Sequence, residues 1–258
     1  MSSNPYQRPD LYERAFAWRD YSRSVDFIIA AAQLAGLESL KGMVELGCGP
    51  AQYAREFGRR GITAYAVDSC PEMALYSQRY YDDEGLPGYV LEADMRHFGL
   101  EQPVDLAICM MSTFGLLLTN TDISDNFAAT ARALRDGGVY LIELPHPKHV
   151  FRQGSSKENK WEMEEGALRI DWASNATFDP MTEISTGSVR FTELKSGVEH
   201  VHEASESWRG MTLGVLRALI ELSGCFKIAG MYGDLDVNVP FDNSRKSWRL
   251  VVVLRKFG

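Results

Sequence analysis

Cysteine is scarce in this sequence: Cys48, Cys70, Cys109 and Cys225 stand far apart, with no CxxC pair among them. That spacing excludes a secreted disulfide framework and a cysteine-rich zinc site, so the thiols read as reduced and mostly buried. Long apolar runs are missing too. Stretches such as Val104 to Met111 and Leu250 to Leu254 fall far short of the roughly 20 residues that cross a bilayer. Met1 to Asp10 has no apolar signal core, and a cytoplasmic protein without a membrane partner is expected. Nowhere do Lys and Arg cluster: 27 basic side chains face 35 acidic ones, a balance of −8. Nucleic acid is therefore not an expected partner. Internal repeats and low-complexity tracts are absent as well, leaving changes in periodicity to reveal the organisation.

Four zones emerge. Tyr12 to Gly36 reads as helical, with Val25, Phe27, Ile28, Ala31, Ala32 and Ala35 at helical spacing and Gly36 where a terminating glycine belongs. Gly42 to Pro145 alternates short apolar runs with helix-like stretches, the pattern of βα units and a parallel sheet. Its expected strands are Met43 to Leu46, Thr63 to Val67, Gly88 to Glu92, Val104 to Met110 and Gly138 to Leu144. Gln52 to Arg60, Pro71 to Asp82 and Asp122 to Leu134 are expected helices, the last closed by Asp136-Gly137-Gly138. Phe151 to Trp208 changes to antiparallel strand writing around Leu168 to Trp172, Ile184 to Thr192 and Val198 to Glu206. Finally, Thr212 can cap a helix running to Gly224, followed by strands at Phe226 to Tyr232 and Ser247 to Arg255. One α/β core, 41–150 with 211–258, would carry an N-terminal helical lid, 1–40, and an antiparallel β insertion, 151–210, serving as acceptor cover or dimer contact.

The sharpest local signal is Val44-Glu45-Leu46-Gly47-Cys48-Gly49-Pro50-Ala51, an apolar strand that breaks into glycines before a helix. Glycine serves where backbone passes close to a ligand or takes positive φ, and the helix start adds free N–H groups suited to a ligand carboxylate. Asp68 ends the second strand, where an acid can accept both hydrogens of a ribose diol, or else cap the helix from Pro71. Past the third strand, Asp94 of Glu92-Ala93-Asp94-Met95-Arg96 can take the exocyclic amine of an adenine while Met95 borders the ring. Three such positions at successive strand ends mark where an open α/β sheet binds a ligand.

With Val67-Asp68-Ser69-Cys70-Pro71-Glu72-Met73, Asp105-Leu106-Ala107-Ile108-Cys109 and Leu134-Arg135-Asp136-Gly137-Gly138-Val139 in the same order, the chain resembles the class I S-adenosylmethionine-dependent methyltransferases of small-molecule type. The resemblance covers about 100 residues. It implies a doubly wound, seven-stranded, mostly parallel sheet with an antiparallel last strand. It also implies S-adenosylmethionine as cofactor and S-adenosylhomocysteine as product. Gly47 and Gly49 would approach the methionine moiety, Asp68 the ribose, and Asp94 with Met95 the adenine; Glu45, Ser69, Met73 and Met110 complete the implied cofactor set. The family usually has a third glycine where Ala51 stands. Gln52 departs from the G-x-G-x-x-G/A frame of a nicotinamide enzyme, which is the weaker cofactor reading.

Methyl transfer from a sulfonium is an in-line displacement with a good leaving group, so positioning carries most of the catalysis. The aromatic stretch Tyr12 to Tyr21 looks like the lid of small-molecule members, with Arg19 and Tyr21 at the methionine end and Tyr12 and Phe16 toward the acceptor; an amphipathic helix packed on the core would show the same pattern. Met110-Met111-Ser112-Thr113-Phe114, after the fourth strand, should border cofactor and acceptor, giving Ser112 and Phe114 as acceptor contacts. If the acceptor needs a base, His146 in Glu143-Leu144-Pro145-His146-Pro147 is the expected one, on the carboxyl edge of the sheet, with Glu143 second. His200 and His202 share a strand face and could bind a metal with Glu203 or Glu206, but a third ligand on that face is not evident and no metal is expected. The expected partner is a small-molecule acceptor, the protein a monomer or homodimer. A cofactor-binding regulatory protein without turnover is the alternative from another class.

Overall fold

The computed structural model describes residues 4–151, 157–165, 168–195 and 197–257. The N-terminal zone, expected as one helical stretch, is two helices, α1 (Pro9–Ala15) and α2 (Tyr21–Leu34). Phe16 leaves helical geometry, and the Asp20 side chain accepts from Arg23 N at 2.9 Å, starting a new helix four residues later. Gly36 then ends α2 at φ +91°, where a Cβ would sit 2.3 Å from Arg255 Nη1.

The main sheet is built from β1 (Gly42–Leu46), β2 (Thr63–Asp68), β3 (Gly88–Glu92), β4 (Val104–Cys109), β5 (Leu134–Pro145), β10 (Phe226–Tyr232) and β11 (Arg249–Lys256). Its order is β10-β11-β5-β4-β1-β2-β3, in which β11 pairs antiparallel with both β10 and β5 and the strands β1 to β5 pair in parallel. The doubly wound sheet with an antiparallel last strand is thus present as expected. Alternation along each strand separates two cores. Val44, Leu46, Ala107, Cys109, Tyr140 and Ile142 face α5 (Asn120–Ala133) and α7 (Leu213–Ser223). Met43, Leu106, Ile108, Val139 and Leu141 face α2 and α3 (Gln52–Arg59). Glu45 and Glu143 lie on this second face, where the lid helices also pack.

Two boundaries differ from expectation. Asp136-Gly137-Gly138 does not close α5: Leu134 passes straight into β5. The glycines fall where the β4–β5 register shifts, with Gly137 at φ +71°, so they serve a bulge. Among its described residues the insertion holds four antiparallel strands where three runs were expected: β6 (Lys157–Glu165), β7 (Leu168–Asp179), β8 (Ile184–Lys195) and β9 (Val198–Arg209). Charge crowds the β6 segment and hides its alternation. The insertion docks on the N-terminal segment through Phe191, packed with Leu11, Ala15 and Phe16. Beside it, Arg8 Nη1 lies 3.2 Å from Glu193 Oε2 and 3.4 Å from His202 Nε2. The final helix is as read: Thr212 caps Val215 N and Gly224 ends it at φ +61°.

Candidate active site

At the end of β1 the chain turns through Gly47 (φ +62°), Gly49 (φ +52°) and Ala51 (φ +55°) before entering α3. The two glycines are needed for different reasons. A Cβ on Gly47 would sit 2.2 Å from Thr113 Cγ2, so this glycine allows the loop after β4 to close in. A Cβ on Gly49 would meet only Tyr12 Cε1 at 3.9 Å and Met73 Sδ at 4.0 Å, so its bare backbone faces free space. Ala51 takes the left-handed conformation that explains the glycine usual at this point, at a cost of roughly 1–2 kcal/mol for an L-residue. The loop is braced from both sides: Gly49 N donates to Asp68 Oδ2 at 2.7 Å, and Gly49 O accepts from Ser77 Oγ at 2.8 Å.

That free space is a cavity of about 580 Å³ across the carboxyl ends of β1 to β4. Of the residues read from the sequence, Gly47, Gly49, Asp68, Ser69, Met73, Asp94, Met95, Tyr12 and Ser112 line it. Its volume falls inside the 300–1,000 Å³ typical of small-molecule sites. A smaller recess shares Tyr12, Gly47 and Gly49 with it and adds Tyr21, Glu45 and Met110. The Asp68 carboxylate also accepts from Cys70 N at 2.9 Å and keeps acceptor capacity toward the cavity. Burial raises its pKa, against the pull of the Cys70, Gly49 and Ser69 N–H groups. Asp94 is held by Arg96, Nη2 to Oδ2 at 2.6 Å, and lies below its ordinary pKa through that bond.

Glu45 is buried, accepts from Ala54 N at 2.8 Å, and burial pushes its pKa from 4.5 up to about 8. The folded chain therefore binds this proton more tightly than the unfolded chain, and the associated stability is complete below pH 4.5 and lost as pH rises toward 8. Thermal unfolding of the ligand-free protein should show a midpoint that falls between pH 5 and 8. Glu45→Gln should flatten that slope, and an unchanged slope would remove Glu45 as its source.

Four expected site residues lie outside both cavities. Phe16 is a core side chain on Phe191, and Phe114 is fully buried against Phe127, ring centroids 5.7 Å apart. Arg19 stacks over Trp18, its guanidinium carbon 5.0 Å from the ring centre. His146 is 3% exposed, and both ring nitrogens are engaged: Nδ1 accepts from Lys148 N at 3.1 Å and Nε2 faces Asp242 O at 2.9 Å. With Nδ1 accepting, Nε2 must carry the proton and donate, so no lone pair is free for a substrate. His146 caps α6 (Pro147–Val150) and ties it to the 242 loop. His146→Ala should lower stability by about 2 kcal/mol, read as a fall in Tm of about 4–8 °C, with cofactor affinity kept. Lost affinity with unchanged Tm would contradict this placement.

Glu143, the second expected base, supports the loop after β4. It is buried, its Oε2 accepts from Met111 N at 2.9 Å and its Oε1 from Arg249. The loop needs that support, since Met111 (φ 57°) and Ser112 (φ 66°) are both left-handed. Sequence reasoning missed Tyr6, Glu206 and Trp208 among the lining residues, while Thr113 belongs to the loop 110–114 expected to border the site. It also missed Glu13, which binds Gln52, Arg55 (2.7 Å) and Tyr76 and so pins α1 over the recess. His202 is buried and His200 exposed on β9, and among the described residues no group of three or more His, Cys, Asp or Glu could hold a metal. Among those residues, too, no helix is long and apolar enough to cross a membrane.

Residues 43–138 match the family model of a methyltransferase domain. No curated protein matches the chain in sequence. Among solved structures, an S-adenosylmethionine-dependent methyltransferase from Clostridium acetobutylicum is similar, with a TM-score of 0.80 at 16% identity over 95% of this chain and 96% of that one. An amino pentose methyltransferase of Micromonospora echinaspora, solved with S-adenosylmethionine, has a TM-score of 0.71 at 18% identity over 95% and 96%. A sugar N-methyltransferase of a Streptoalloteichus species has a TM-score of 0.72 at 16% identity over 95% and 91%. The chain thus shares its fold and sheet order with these S-adenosylmethionine-dependent methyltransferase structures, and its residues 43–138, which hold the glycine loop, match a methyltransferase domain.

Proposed function

We propose that this enzyme methylates a nitrogen or oxygen atom of a small molecule held under the inserted sheet. The observation that carries this reading is the cavity at the ends of β1 to β4, entered by the bare Gly49 backbone on one side and closed by β9 on the other. Bound S-adenosylmethionine supplies a methyl group on a sulfonium, an already activated donor. Asp68 accepts from the ribose hydroxyls, Asp94 and Met95 hold the adenine, and Gly47 and Gly49 give room to the amino-acid tail beside Glu45 and Tyr21. The loop 110–114, fixed by Glu143, and the ring of Tyr12 set the line of approach and exclude water. His146 acts as a structural cap.

In this division, 1–40 is a lid, 41–150 with 211–258 the cofactor core, and 151–210 the acceptor cover. A cytoplasmic location and a monomeric or homodimeric state fit the composition. Incubating the purified chain with methyl-labelled S-adenosylmethionine and pools of amines and alcohols tests the reading. Label passes to a small acceptor in a time-dependent manner; saturable cofactor binding without transfer to any pool would favour a regulatory binder.

A further inference from the structure

One carboxylate in the cavity is not among the residues proposed above to hold the cofactor. Glu206 projects from β9 into the cavity on the same strand face as Trp208. The Tyr6 hydroxyl hydrogen-bonds to it, yet Oε2 is buried and has no partner. No cation in the lining is free to answer it. Arg96, the lining's arginine, is already bound by Asp94 and Asp122. The remaining acids of the lining are Asp68 and Asp94, and the rings beside Glu206 are Tyr6, Tyr12 and Trp208, with Tyr6 and Tyr12 centroids 5.9 Å apart. A buried carboxylate without a counter-charge is costly, and aromatic faces around it add attraction for a positive group. Such a cage is built for a cation that arrives with the ligand.

We propose that Glu206, with the rings of Tyr6, Tyr12 and Trp208, binds the protonated amine of the methyl acceptor and takes its proton. The inference rests on the methyl-transfer reading and narrows its acceptor to an amine. Burial raises the pKa of Glu206, with the Tyr6 bond opposing, which makes it a better proton acceptor than an exposed carboxylate. The step balances: the ammonium N–H proton passes to Glu206, and the freed nitrogen lone pair attacks the methyl carbon. An N–C bond forms as the C–S bond breaks, and its electron pair stays on sulfur, leaving neutral S-adenosylhomocysteine and a methylammonium product.

The test uses the full chain saturated with S-adenosylhomocysteine, and a matched pair of probes, D-glucosamine and D-glucose, titrated while Trp fluorescence and heat are followed. The wild type should bind the amine about tenfold or more tightly than the alcohol, and Glu206→Gln should abolish the preference. In that variant, S-adenosylmethionine and S-adenosylhomocysteine affinities should stay within about twofold of wild type, and Tm should hold. An equal preference in wild type and variant, or none in wild type, overturns the assignment. A selective loss of S-adenosylmethionine over S-adenosylhomocysteine affinity also overturns it, by giving the carboxylate to the sulfonium. A wild-type chain that binds neither of those two ligands would instead sink the underlying methyl-transfer reading.

Discussion

Asp68→Ala is expected to weaken S-adenosylmethionine and S-adenosylhomocysteine binding by about 100-fold. Hydrogen bonds to a charged partner contribute about 1.5–3 kcal/mol net, and each 1.4 kcal/mol is a factor of about ten in affinity. The upper part of that range applies because the side chain has two tasks. On the proposed reading it accepts from the ribose, and it holds Gly49 N at 2.7 Å and Cys70 N at 2.9 Å, which fixes the turn beside the cavity. Alanine removes both. Asp68→Asn keeps one acceptor oxygen but turns an amide donor toward one of those N–H groups, and an intermediate loss of about tenfold is expected. Calorimetric titration reads both; an alanine variant with wild-type affinity would take the ribose away from Asp68.

The second large effect separates two glycines that look alike in sequence. Gly49→Ala should cost at least about tenfold in cofactor affinity, because its methyl enters the space beside Tyr12 and Met73. The fold itself accommodates it, since those contacts are ordinary and the φ of +52° adds a strain of about 1–2 kcal/mol. Gly47→Ala should act mainly on stability, because its methyl meets Thr113 Cγ2 at 2.2 Å and a packed loop must move. The pairing can be checked by a double-mutant cycle. Thr113→Ser deletes Cγ2 and should restore much of the stability lost in Gly47→Ala, while leaving the Gly49→Ala affinity loss untouched. Additive stability losses at 47 and 113 would show that the contact is not the cause.

Much of the architecture is legible in the sequence because it depends on local rules. Strand–glycine–helix order, the apolar run Val104 to Met110, and the Thr212 and Gly224 helix signals all act within a few residues, and these elements stand close to where they were read. What failed depended on contacts made from a distance. His146 sits at the expected sheet edge, but a loop 96 residues later supplies the carbonyl that occupies its ring. Phe16 and Phe114 lie in segments close to the cavity, yet Phe16 packs with Phe191 and Phe114 against Phe127, each in a core. The Asp20 cap that divides the N-terminal helices was visible in principle, as an Asp ahead of a helical run. Glu206 and Trp208 carry a fainter signal: two-residue spacing along a strand shows that they share a face, and only the docking of that sheet on Tyr6 and Tyr12 shows what the face covers.

The central claim is that the glycine loop and Asp68 form the seat of a methyl donor. The most direct measurement is an equilibrium titration of the purified wild-type chain with S-adenosylhomocysteine, repeated on Asp68→Ala. Saturable one-to-one binding, displaced by S-adenosylmethionine, unaffected by NAD and strongly weakened in the variant, is the predicted result. No heat of binding for either ligand at millimolar concentration would contradict it.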